Sequence, residues 1–124
     1  MARVLLVEDE DILRQLVTIR LELAGHEVIS ADNGKTGMEI ALSDCPDLVL
    51  LDMHMPVMGG HEAIAALREA DYDGRVLALT AASRSEENDK AIEAGCNGVI
   101  AKPIGDDFEE RVAEELRAGA ADEM

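Results

Sequence analysis

Three carboxylates, a hydroxyl and an ammonium close four short apolar runs of this chain. Glu8-Asp9 follows Val4 to Val7, Asp52 follows Leu48 to Leu51, Thr80 follows Val76 to Leu79, and Lys102-Pro103 follows Val99 to Ala101. Clustered carboxylates are hard oxygen donors that favour a small hard cation, Mg²⁺, which keeps several of its waters. Such an ion offsets repulsion among Glu8, Asp9 and Asp52 and leaves one carboxylate free to act as a nucleophile. A carboxylate can attack phosphorus in line and become an acyl phosphate, with an ammonium and a hydroxyl placed to meet charge on the transferred oxygens. Asp52 is the expected acceptor, with Thr80 and Lys102 as its helpers.

Each residue also has an ordinary explanation. Acids after a strand serve the next helix as caps or dipole partners, and Glu10 and Asp11 are read that way. Singly, Asp52 fits a solvated loop acid, Thr80 a strand-end hydroxyl bonded to backbone, and Lys102 a surface lysine. Four strand ends delivering complementary groups to one edge favour a site.

The elements that must position these groups alternate. Five short apolar runs read as buried strands: the four above and Val28-Ile29. Between and after them, apolar residues recur at helical spacing: Ile12, Leu16, Ile19, Leu23; Met38, Ala41, Leu42; Ile64, Leu67; Ala91, Ile92; and Phe108, Val112, Leu116. The pattern predicts a doubly wound α/β domain, a five-stranded parallel sheet with helices on both faces and right-handed crossovers. Ala24-Gly25, Asp32-Asn33-Gly34, Gly59-Gly60 and Ala94-Gly95 mark element boundaries. In such a sheet ligands bind beyond the carboxyl ends of the strands, where the candidate residues fall.

Composition bounds the function. The chain has 124 residues and 48% hydrophobic content, enough for one buried core and too little for two ordinary domains. Eleven Lys and Arg against 27 Asp and Glu give a formal charge of −16, which disfavours nucleic acid and anionic membrane and points to cations or basic protein surfaces. Cys45 and Cys96 lack metal-ligand spacing, no leader precedes the first apolar run, and no stretch approaches the roughly 20 apolar residues of a membrane span. A reduced, cytoplasmic, soluble protein is expected. Residues 1–118 form the expected domain, and 119–124 a short tail expected to be disordered.

The segments Val4-Leu-Leu-Val-Glu-Asp9, Leu48-Val-Leu-Leu-Asp52-Met-His-Met-Pro56-Val-Met-Gly-Gly60, Leu77-Ala-Leu-Thr80-Ala81, Ala94-Gly95 and Lys102-Pro103 resemble the receiver domain of bacterial response regulators, the chemotaxis regulators among them. The resemblance covers essentially the whole chain. It implies a flavodoxin-like (βα)5 sheet of order 2-1-3-4-5. It also implies Glu8 and Asp9 as the acidic metal pair, Asp52 as phosphoacceptor and metal ligand, and the backbone carbonyl of His54 as a further ligand. Thr80 is implied as switch hydroxyl, Lys102 as the phosphate-contacting lysine, and the Lys102-Pro103 bond as cis. Two departures stand out: Val99 occupies a position usually aromatic in such domains, and Glu8 replaces the commoner Asp.

The expected function is a phosphoacceptor module of a two-component system or phosphorelay. Its donor is a histidine kinase or histidine phosphotransfer protein, and its output goes to a protein target through the fourth helix, fifth strand and fifth helix. It is expected to catalyse only its own phosphorylation and dephosphorylation. The alternatives are a docking module independent of phosphorylation, a receiver cut from a hybrid histidine kinase, and a Mg²⁺-dependent phosphohydrolase, for which no second acid or base is evident. His54 and His61 read as surface residues rather than a transition-metal pair, Met53, Met55 and Met58 as core filling, and His26 and Tyr72 as structural.

Overall fold

The structure is a computed structural model that describes residues 2–122 except 54, 56, 57, 81–84 and 103, and only the backbone of 85–88 and 119–122. Short Val- and Leu-rich runs, too brief for core helices, form five strands: β1 (Arg3–Val7), β2 (Glu27–Ala31), β3 (Leu48–Asp52), β4 (Val76–Thr80) and β5 (Gly98–Ala101). Helices α1 (Asp11–Leu23), α2 (Gly34–Asp44), α3 (Gly60–Glu69), α4 (Ser85–Ala94) and α5 (Phe108–Asp122) follow in alternation. The strands pair in parallel in the order β2-β1-β3-β4-β5, as the resemblance to receiver domains implied. α5 continues through Asp122, so the backbone of 119–122 is helical where a disordered tail was expected. Three alanines after Arg117 supply the helical propensity.

The central strands are buried on both faces, which is why they lack a polar alternation. One layer packs Val17 and Leu21 of α1 and Phe108 and Val112 of α5 against Val4, Leu6, Leu50 and Leu77. The other sets Ala41 of α2, Ala63, Ile64 and Leu67 of α3 and Ala91 of α4 against Leu5, Val7, Leu51 and Ala78. Met53, Met55 and Met58 pack on this second cluster, as gap fillers.

α1 departs from the sequence reading. Its periodic residues Ile12, Leu16, Ile19 and Leu23 mark a helix, but they are 48–84% exposed, and the residues turned inward are Leu13, Val17 and Leu21. The helix carries two apolar stripes, and spacing alone does not distinguish the stripe that meets the sheet.

Arg68 ties the end of the sheet opposite the candidate residues. Its guanidinium donates to the carbonyls of Tyr72, Gly74 and Gly95 and to Asn97 Oδ1, which also accepts the Val76 N–H. Each buried acceptor so met avoids a penalty of about 1–3 kcal/mol. Tyr72, expected to be structural, lies buried under this clamp.

Candidate functional site

The parallel ladder runs one residue past three strands, and this fixes the candidate side chains. Glu8 N–H donates to Ala31 O at 3.0 Å, Met53 N–H to Leu79 O at 3.0 Å, and Lys102 N–H to Thr80 O at 2.8 Å. The backbones on either side of the cluster are therefore held by the sheet rather than by loops. Two glycines let helices press on the same ends. A Cβ on Gly37 of α2 would lie 2.6 Å from Val7 Cγ2, and one on Gly60 of α3 would lie 2.5 Å from Met53 Cα. Neither position has room for a side chain, so α2 and α3 hold the residues flanking Glu8 and Asp52 in place.

At this edge Glu8 is fully buried, and Asp52 and Thr80 are each 2% exposed. Lys102 Nζ lies 2.9 Å from Glu8 Oε1 and 3.2 Å from Asp52 Oδ2, bridging the two acids. Burial alone would lower the Lys102 pKa, but the carboxylates of Glu8 and Asp52 outweigh it and hold the ammonium above its ordinary value. The lysine is thus firmly charged. Glu8 Oε1 meets Lys102 Nζ at 2.9 Å, and because a carboxylate oxygen has more than one lone pair it keeps acceptor capacity that a cation can use. The other oxygen, Oε2, accepts the Glu10 N–H at 3.1 Å.

Glu8, Asp9 and Asp52 offer carboxylate oxygens that all lie within 4.8 Å of one another. Ligands on opposite sides of an octahedral Mg²⁺ are about 4.2 Å apart, so small side-chain adjustments bring this set to the ion. The donors are all hard oxygens, and each carboxylate oxygen carries more lone pairs than the single lysine at this edge can take up. The residues fit Mg²⁺. The expected carbonyl ligand at His54 lies outside the described residues, as do Pro103 and its peptide bond.

All five side chains expected from the sequence, Glu8, Asp9, Asp52, Thr80 and Lys102, come from strand ends at this one edge. The sequence reading missed Arg14. Its guanidinium donates to the Glu8 carbonyl at 3.0 Å and pairs with Asp11, bracing the turn after β1. The signal was present as Asp11 and Arg14 at i, i+3, a spacing that pairs side chains on a helix. Asp11 lies in the first turn of α1 as expected, whereas Glu10 occupies the N-cap without a side-chain cap bond and serves Glu8 through its backbone. His61 is exposed on α3, in line with its reading.

Residues 4–113 match the family described as the response regulator receiver domain. Chemotaxis protein CheY of Halobacterium salinarum is 35% identical over 82% of this chain and 85% of its own length. The DNA-binding dual master transcriptional regulator RpaA of Synechocystis is 34% identical over 91% of this chain but 47% of its own length. The chain spans about half the length of several curated relatives it matches. Among solved structures, Vibrio cholerae CheY4 superimposes with a TM-score of 0.81 at 31% identity, covering 95% of this chain and 98% of that one. With the family match spanning most of the chain and the fold in agreement, the chain belongs to the receiver domain family of two-component response regulators.

Proposed function

We propose that this receiver accepts a phosphoryl group on Asp52, with Mg²⁺ held by Glu8, Asp9, Asp52 and the His54 carbonyl, and that the acyl phosphate switches a protein-binding surface. The observation that carries this reading is a nearly buried aspartate whose carboxylate meets a charged lysine at 3.2 Å beside two further acids. The Asp52 carboxylate attacks phosphorus, a P–O bond forms, the P–N bond of a donor phosphohistidine breaks, and the imidazole leaves with its electron pair and takes up a proton. Lys102 pairs with an oxygen of the transferred group and Thr80 donates a hydrogen bond to another. Bound Mg²⁺ supplies charge neutralisation for the phosphoryl oxygens. Hydrolysis of the acyl phosphate ends the signal, so the chain turns over only its own phosphate.

A histidine kinase or histidine phosphotransfer protein is the proposed donor. The exposed stripe Ile12, Leu16, Ile19 and Leu23 begins four residues after Glu8 and gives that donor an apolar seat beside the site. RpaA is named for DNA binding, but this domain's formal charge of −16 favours protein partners over nucleic acid. No helix among the described residues is long and apolar enough to cross a membrane.

Incubation with acetyl phosphate and Mg²⁺ should add one phosphoryl group, detected by intact mass and lost on treatment with hydroxylamine. Asp52→Asn should abolish the addition. Equal labelling of that variant, or full labelling in excess chelator, would show that the acceptor or the metal requirement is wrong.

A further inference from the structure

We propose that the exposed apolar stripe of α1 pairs with the same stripe of a second copy of this chain, the two helices lying antiparallel. Of the six large apolar side chains exposed among the described residues, four lie on α1: Ile12 at 84%, Leu16 at 48%, Ile19 at 54% and Leu23 at 83%. At 3.6 residues per turn these four fall within about 60° of arc, on a strip about 16 Å long. Their spacing of four, three and four residues is that of a coiled-coil seam, and it reads the same from either end. The sheet takes up the opposite face of the helix, through Leu13, Val17 and Leu21.

Symmetry, charge and area favour a second copy as the occupant. A two-fold axis between Leu16 and Ile19 sets Ile12 against Leu23 of the other copy, and Leu16 against its Ile19, so each aliphatic side chain meets one of similar size. The chain carries a formal charge of −16, yet α1 itself is balanced, with Asp11 and Glu22 against Arg14 and Arg20. Arg14 pairs with Asp11, and Arg20 with Glu109. The strip therefore holds little attraction for a charged partner, and it lets two acidic copies approach with reduced repulsion. Antiparallel helices place Gln15 beside Glu22 and Leu13 beside Arg20, with no like charges opposed. A parallel pair would bring together the acidic starts of both helices, Glu10 and Asp11, and align their dipoles. The four side chains expose roughly 500 Å² per copy, so pairing removes about 1,000 Å² from water, near the lower limit of a specific interface. That size makes the dimer weak and dependent on concentration. It covers the seat proposed for the phosphoryl donor, so the two occupants exclude each other. This consequence rests on the donor reading, whereas the pairing does not.

Sedimentation velocity of the full chain, with neither donor nor phosphate present, tests the pairing. In about 0.15 M salt the parent should pass from monomer to dimer between roughly 10 μM and 1 mM, and about 0.5 M NaCl, which screens the two acidic bodies, should tighten the pair severalfold. Leu16→Lys should weaken it by roughly tenfold or more, because the ammonium enters an apolar seam. Leu42→Lys, at a 41% exposed position on α2, should leave it unchanged. Orientation is read by mixing Ile12→Cys and Leu23→Cys proteins, each also carrying Cys45→Ser; mild oxidation should give the mixed disulfide dimer in preference to either self-linked one. A monomer throughout the concentration range, equal weakening by Leu42→Lys, or preferential self-linking of Ile12→Cys would each overturn the proposal.

Discussion

Replacing Lys102 by methionine should destabilise the metal-free protein while making it more responsive to Mg²⁺. At an effective dielectric of about 20, an ammonium 2.9 Å from Glu8 and 3.2 Å from Asp52 gains roughly 5–6 kcal/mol of gross attraction from each. Much of that offsets desolvation of groups that are fully buried, 2% exposed and, for the lysine side chain, 18% exposed. Removing only the cation leaves that desolvation in place. It also exposes repulsion of roughly 3 kcal/mol between carboxylates whose oxygens approach within 4.8 Å. The expected loss in chelator is about 3 kcal/mol, within the range for breaking a buried pair by deleting one partner. Mg²⁺ at one hundred times its dissociation constant stabilises either protein by about 2.7 kcal/mol. Because the ion meets less competition in Lys102→Met, it should bind the variant more tightly and at fixed concentration restore more stability than it adds to the parent. Urea unfolding at neutral pH, with chelator and across a Mg²⁺ series, measures both quantities. A variant as stable as the parent in chelator, or equal Mg²⁺ increments in the two proteins, would refute the view that Lys102 balances these acids.

Alkaline pH should unfold the protein through two buried groups, the Cys96 thiol, which burial pushes up to about 11 from 9.0, and the Tyr72 phenol, which burial pushes up to about 12 from 10.0. The unfolded chain loses each proton first, so their contribution is fully present below pH 9 and falls between pH 9 and 12, by about 3 kcal/mol per group. Lys102, also raised, acts in the same direction above its ordinary value. Urea midpoints should drop across this window, and Cys96→Ala should flatten the decline between pH 9 and 10; an unchanged slope there would remove the thiol from the account. Thr80→Ala should accept phosphate at Asp52 within roughly tenfold of the parent rate yet lose the amide chemical-shift changes in β4 and β5 that a stable phosphoryl mimic induces in the parent; a parental response would show that the hydroxyl does not couple. Leu16→Lys on the exposed α1 stripe should leave stability within about 0.5 kcal/mol and acetyl phosphate labelling intact, while slowing transfer from a phosphohistidine donor. Equal donor rates would move the docking seat elsewhere.

The strands were legible because fully buried parallel strands leave an unmixed apolar signature, as in Leu48 to Leu51 and Val76 to Leu79, whereas their order followed only from the resemblance to receiver domains. α1 shows the limit of that logic. Its period was right, yet Ile12, Leu16, Ile19 and Leu23 face solvent and Leu13, Val17 and Leu21 face the sheet. A helix with apolar residues on two sides gives two acceptable phases, and only the position of the neighbouring strands chooses between them. α5 is the converse case. Its apolar residues end near Leu116, but alanine-rich sequence carries the backbone helix to Asp122, beyond the reach of an apolar-period reading.

The site was more legible than its surroundings because its residues follow from a rule about strand ends, whereas their supports follow from packing. Glu8, Asp52, Thr80 and Lys102 are found by asking what terminates each apolar run. Nothing in the sequence says that Arg14 reaches back to the Glu8 carbonyl, or that Gly37 and Gly60 stand where a Cβ would strike Val7 and Met53. Those contacts decide how closely the carboxylates are held, and a carboxylate that must meet phosphorus in line tolerates little misplacement. The side chains of the site are therefore spelled out locally, while its precision depends on helices α1, α2 and α3 arriving at the correct distance from the sheet. Substitutions at Gly37 or Gly60 are accordingly the changes for which identity of the chemical groups would be retained and their geometry lost.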